Sequence, residues 1–148
     1  AILVKKIISC RKMEATKQIS KKLRVPLGRQ VYEYVLLRKI DDIPCILETT
    51  YIDCERFPDF DKYYNEKNSM GRVVKNIYHK KQVAGEERIS VTYASEHEAE
   101  FLEVPSETPL FFTSGIIEDE EGIVVMYYKQ LLRGDKFKFV SRIDNEQS

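Results

Sequence analysis

Two charged residues sit inside apolar runs. Arg38 follows "YVLL" and Glu48 follows "CIL". A charge among apolar strand residues needs a partner, because an unpaired charge in a low-dielectric interior is costly. Two readings stand. The pair joins across a hairpin, or both face a cavity and meet a small polar ligand. Ser69 precedes "MGRVVKNIYH", where its hydroxyl caps a predicted helix. The remaining chemistry is sparse. His79 lies between Asn76–Tyr78 and Lys80–Lys81 at a predicted helix end, where a cation suits the dipole. His97 falls in the first turn of an acidic helix. Neither stands at ligand spacing from a cysteine or an acid, so no metal site is expected. No GxSxG, Walker or GxGxxG pattern occurs. No catalytic residue and no cofactor are therefore expected.

The elements that must carry these residues follow from periodicity. Residues 3–13 read as a strand. Thr16 caps a helix with Ile19 and Leu23 on one face, and Pro26 and Gly28 end it. "QVYEYVLLRK" is β-branched and aromatic, hence a strand. Asp41-Asp42 turns it into "CILETTYID", an antiparallel hairpin that needs no long crossover. "RFPDFDKYYNEKN" is the least regular stretch, with a short helix after Pro58. Residues 81–93 return as a strand. Ser95 and Glu98 form a capping box for the next helix. "PLFFTSGIIE" and "IVVMYYKQLL" flank the Glu118–Gly122 turn. The "RGD" at Arg133–Asp135 reads as a chain corner, with a strand through Phe137 and Phe139 after it and a polar tail.

The chain repeats itself. "LRVPLGRQVYEYV" at Leu23–Val35 is echoed by "LEVPSETPLFFTS" at Leu102–Ser114. The offset is constant: Ala15/Ala94, Leu23/Leu102, Val25/Val104 and Pro26/Pro105 all keep it. The unit reads strand, capped helix, Val-Pro turn, strand, acidic turn, strand. Two copies are too few for a solenoid, so they predict one α+β domain over residues 1–148, a single sheet with helices on it. The chain has 148 residues and no apolar run near the ~18 needed to span a bilayer. Cys10, Cys45 and Cys54 are odd in number and lack CxxC spacing. They read as reduced thiols of a cytoplasmic protein. Net charge is zero but uneven. Residues 1–30 carry nine Lys/Arg against Glu14 alone, and residues 96–121 carry nine acids and no Lys or Arg. The two repeat helices thus have opposite charge, a pattern that points to a charged partner or to two solvated faces.

The combination of stretches resembles the UTRA domain, the effector-binding domain of HutC-type GntR-family transcriptional regulators. The carrying stretches are "LRVPLGRQVYEYVLLRKIDDIPCILETTYI", "NSMGRVVKNIY", "ASEHEAEFLEVPSETPLFF" and "YYKQLLRGDKFKF". They run in the family's order along almost the whole chain, with Asp42 where Gly is usual. The resemblance implies a chorismate-lyase-like antiparallel sheet with packed helices, built from two related halves. It implies a homodimer and a pocket for a small-molecule effector, a sugar phosphate or small carboxylate. It also implies action on DNA only through an N-terminal winged helix-turn-helix that this chain lacks, with no membrane contact. Arg38 matches an anion-holding arginine, Glu48 a pocket acid and Ser69 a phosphate-contacting serine. Tyr127, on the strand after the last turn, completes the expected ligand-binding set. Leu36, Gly71, Met126 and Leu132 stand where sugar-phosphate-binding members carry Arg, Tyr, an acid and Tyr. Those departures imply a more apolar pocket than an amino-sugar phosphate requires. Two other readings are an enzyme of the chorismate-lyase-like fold and a dimerisation module with a vestigial pocket.

Overall fold

A computed structural model describes residues 2–136. The elements are β1 (Leu3–Glu14), α1 (Lys17–Leu23), β2 (Gln30–Ile40), β3 (Ile43–Asp53), α2 (Phe60–Tyr63), α3 (Met70–Asn76), β4 (Gln82–Tyr93), α4 (Glu96–Leu102), β5 (Pro109–Asp119) and β6 (Val124–Arg133). A 3-10 turn at Gly134–Lys136 forms the expected corner. The strand expected through Phe137 and Phe139 lies outside the described residues. All six strands make one antiparallel sheet in the order β1-β2-β3-β6-β5-β4. Each half of the chain supplies three consecutive strands, and the halves join where β3 pairs with β6.

The repeat is physical, down to individual hydrogen bonds. Thr16 Oγ1 accepts from the Ile19 amide at 3.3 Å, and Ser95 Oγ accepts from the Glu98 amide at 3.2 Å. The Val25 amide donates to the Ser20 carbonyl and the Val104 amide to the Ala99 carbonyl, both at 3.1 Å. The Ala15 amide reaches the Arg29 carbonyl at 2.7 Å, and the Ala94 amide reaches the Thr108 carbonyl at 2.9 Å. Each bond thus has its counterpart at the offset of the sequence repeat. Even the helix C-caps agree. Arg24 and Glu103 both adopt the left-handed conformation, with φ of 56° and 55°. Leu23 and Leu102, just before them, are both fully buried.

Strand alternation divides the sheet into two faces. On one face, α1 lays Ile19 and Leu23 over Val31, Tyr51 and Tyr127. On the same face, α4 lays Ala99 and Leu102 over Leu37, Leu47 and Leu131. The opposite face carries Tyr34, Leu36, Ile52 and Met126. It is covered by the segment between the halves, through Phe57, Phe60, Tyr64, Met70 and Val74. Full burial of each such side chain stabilises the fold by about 1.5–3 kcal/mol. That is why a stretch with so little regular structure still packs. The β2–β3 turn places Asp41 and Asp42 at positive φ, 50° and 65°. A two-residue hairpin loop asks for this conformation, and short polar side chains tolerate it better than bulky ones. No helix among the described residues is long and apolar enough to cross a membrane.

Candidate functional site

Arg38 and Glu48 are both buried, at 3% and 6% exposure. They occupy adjacent strands on the face covered by the inter-half segment. The register is diagonal: Arg38 lies opposite Ile46, and Glu48 lies opposite Leu36. Arg38 Nη2 still reaches Glu48 Oε1, at 3.4 Å. The Glu48 carboxylate takes two further donors. Gln130 Nε2 donates to Oε1 at 2.7 Å, and Thr50 Oγ1 donates to Oε2 at 2.7 Å. Gln130 in turn accepts from Thr113 Oγ1 at 3.1 Å. This network ties β2, β3, β6 and β5 together through side chains. Several donors around one carboxylate compensate its burial.

The same residues line open space, so Arg38 and Glu48 pair across the hairpin and also face a cavity. Arg38 sits in the wall shared by two cavities. One, of about 260 Å³, is lined by Lys5, Arg38, Glu66, Lys67, Asn68, Ser69 and Arg72. The other, of about 440 Å³, is lined by Arg38, Glu48, Thr50, Met70, Gln82, Glu87, Met126, Tyr128 and Gln130. The first is strongly basic, with four cations against Glu66. The second mixes carboxylates, amides and apolar groups.

Lys5 and Ser69 are held in the wall of the basic cavity by contacts of their own. Lys5 lies directly opposite Arg38 in the β1–β2 register. Its ammonium donates to the Asn68 carbonyl and sits 4.3 Å from the Tyr64 ring centroid. Burial lowers its pKa to about 8, with the Arg38 charge as the next cause. Ser69 caps α3, its Oγ accepting from the Arg72 amide at 3.2 Å. The Tyr64 hydroxyl is buried with no hydrogen-bond partner among the described residues. Burial raises its pKa, and the charges of Arg38 and Glu48 act on it. At the mouth of the larger cavity, Tyr128 donates to the Glu87 carboxylate. Gly115 makes room for that ring: a Cβ there would fall 2.6 Å from the Tyr128 hydroxyl.

Of the four expected site residues, three converge and one does not. Arg38, Glu48 and Ser69 border the paired cavities. Tyr127 projects to the other face, where it stacks on Tyr51 at 5.7 Å between ring centroids. It borders a separate recess of about 180 Å³ with Lys21, Lys22, Arg24 and Arg88. Its neighbour Tyr128 takes the cavity side. Strict alternation along β6, counted from Gln130, distinguishes the two tyrosines. Lys5, Arg72 and Gln130 were not singled out from sequence, because only the strand register and the packing of α3 bring them to Arg38.

Comparison with known proteins decides the family. The chain matches the sequence model of the UTRA domain over residues 3–138. It belongs to the UTRA domain family. Among curated proteins, this UTRA domain is 25% identical over 126 residues to the probable fructoselysine utilization operon transcriptional repressor of Escherichia coli. That match covers 85% of this chain and 51% of the relative. The chain thus spans about half the length of the curated relatives it matches. Among solved structures, the C-terminal domain of Yurk from Bacillus subtilis superposes with a TM-score of 0.83 at 22% identity, covering 87% and 89% of the two chains. The effector domain of PhnF from Mycobacterium smegmatis gives 0.82 at 19% identity, covering 91% and 83%. A GntR-family transcriptional regulator from Bacillus cereus gives 0.76 at 22% identity, covering 91% and 94%. The expected chorismate-lyase-like α+β architecture, with its two related halves, is therefore the architecture of this UTRA domain, and its relatives include a probable transcriptional repressor and a GntR-family transcriptional regulator.

Proposed function

We propose that this UTRA domain is the effector-sensing and dimerisation part of a cytoplasmic HutC-type regulator. A small anionic metabolite, a sugar phosphate or small carboxylate, binds the paired cavities and alters how an N-terminal domain holds DNA. The observation that carries this reading is the position of Arg38. It is buried, oriented by Glu48, and shared by a basic cavity and a larger mixed one. An anionic group fits the end formed by Lys5, Arg38, Ser69 and Arg72. The rest of the ligand fits the end formed by Glu48, Gln82, Tyr128 and Gln130, with Met70 and Met126 as apolar wall. The domain acts by binding rather than by catalysis. Ligand binding shifts the population between dimer geometries, which requires different affinity for the two.

Thermal shift of the chain against sugar phosphates, sugars and small organic acids tests this. A ligand at 100 times its Kd adds about 2.7 kcal/mol of stability. The expected result is a hit among anionic compounds that is lost in Arg38→Met and weakened in Ser69→Ala. No hit across the panel refutes the sensing role. Conversion of chorismate by the chain refutes the non-enzymatic one.

A further inference from the structure

The opposite charge of α1 and α4 has a structural pattern that effector binding does not use. At three equivalent positions of the repeat, a cation in or just after α1 is matched by a carboxylate in or just after α4: Lys17 by Glu96, Lys21 by Glu100 and Arg24 by Glu103. All six side chains are exposed, and both helices lie on the same face of the sheet. Among the described residues, Arg24 has one ion pair, with Glu118 at 3.6 Å, and the other five have none. The two helices therefore do not neutralise each other within the chain.

We propose that this face is an interface for a second copy of the chain, with α1 of each copy against α4 of the other. The inference rests on the dimerisation part of the proposed function and specifies its geometry. A two-fold axis lying parallel to the sheet can bring the helices together in two ways. It can set α1 on α1 and α4 on α4, which opposes like charges throughout. It can instead set α1 on α4 twice, which opposes unlike charges at both contacts. A two-fold interface uses one patch on both copies, so a single patch carrying both signs is self-complementary. Exposed ion pairs contribute little affinity each, and their effect is to select orientation and reject the wrong one. The remaining contact area comes from the surfaces flanking the helices.

The test is charge exchange, read by analytical ultracentrifugation of the full chain with circular dichroism to verify folding. One variant carries Lys17→Glu, Lys21→Glu and Arg24→Glu. The other carries Glu96→Lys, Glu100→Lys and Glu103→Arg. Alone, each weakens dimerisation by about a hundredfold or more, since each opposes like charges at both contacts. Mixed in equal amounts, they recover a dimer with one of each. The variant with all six changes recovers a homodimer. Dimers of wild-type strength from both triple variants overturn this interface and leave the dimerisation reading intact. Loss of dimer in each, with no recovery on mixing or in the full exchange, overturns it too. A wild-type chain that stays monomeric overturns both the interface and the dimerisation reading, while effector binding is scored separately.

Discussion

Replacing Arg38 by Met should destabilise the ligand-free domain through Glu48. At the 3.4 Å separation of this pair, the gross attraction is about 5 kcal/mol at an effective dielectric of 20. Desolvation of two buried charges cancels much of it, so the pair is worth little against an apolar substitute. Removing one partner differs, because the other charge stays buried. Such breaks cost about 3–5 kcal/mol. The low end applies here, about 3 kcal/mol, since Thr50 and Gln130 still donate to the carboxylate. For a chain of this length, each kcal/mol moves Tm by about 2–4 °C, so the midpoint should fall by roughly 6–12 °C. Glu48→Gln alone should cost about 2 kcal/mol, the scale of a hydrogen bond to a charged group. The double variant should lose much less than the sum, with a coupling of about 2 kcal/mol. Urea unfolding followed by circular dichroism, without ligand, measures all three. Independent sites add to within about 0.5 kcal/mol, and additivity that close for these two changes would refute the claim that the charges act as a unit.

Two further outcomes follow from the same site. Lys5 has a folded pKa of about 8, below its ordinary value. The unfolded chain holds that proton more tightly, so the contribution of Lys5 to stability rises as pH increases from about 8 towards 10.5. The stability of wild type relative to Lys5→Met, measured by unfolding midpoints, should therefore rise across that window; a constant difference would show that the burial of Lys5 has no energetic effect. Gly115→Ala should cost about 1–3 kcal/mol through overpacking, because its Cβ meets the Tyr128 hydroxyl at 2.6 Å and the Glu86 carbonyl oxygen at 2.9 Å. Tyr128→Phe in the same background should return part of that loss, and no recovery would place the clash at the ring carbon Cζ, 2.8 Å away, and the Glu86 carbonyl instead of the hydroxyl.

Local signals carried the scaffold. Thr16 and Ser95 announce helix starts because a hydroxyl beside free amides has one good use. The Val-Pro echo announces the two halves because the same turn must return each helix to the sheet. The charged pair Arg38 and Glu48 was visible because charges stand out in apolar strands. The site's other members depend on long-range register. Tyr127 and Tyr128 are adjacent, and only the face assigned to β6 separates a core stack from a cavity wall. Lys5 looks like any solvated lysine of an edge strand until β1 pairs with β2 and sets it opposite Arg38. The aromatic packing of α2 was illegible for a similar reason. Phe57, Phe60 and Tyr64 lie around a helix of a single turn with no periodicity to read, and the sheet beneath them decides their burial.

The relation between the halves also bears on the shape of the larger cavity. Val35 pairs with Thr49 and Ser114 with Lys129, so Thr49 and Lys129 are counterparts, and they face each other across the β3–β6 junction. The internal two-fold axis therefore passes between them. Glu48 and Tyr128 are related by that axis, as are Thr50 and Gln130, and all four border the larger cavity. The cavity thus straddles the axis instead of being duplicated by it. The two halves share this cavity, with residues of both in its wall. Two identical halves would make its two ends equivalent. Ile117 stands where the first copy has Arg38, and Tyr128 and Gln130 stand where it has Glu48 and Thr50, so the two ends of the cavity differ in charge and polarity.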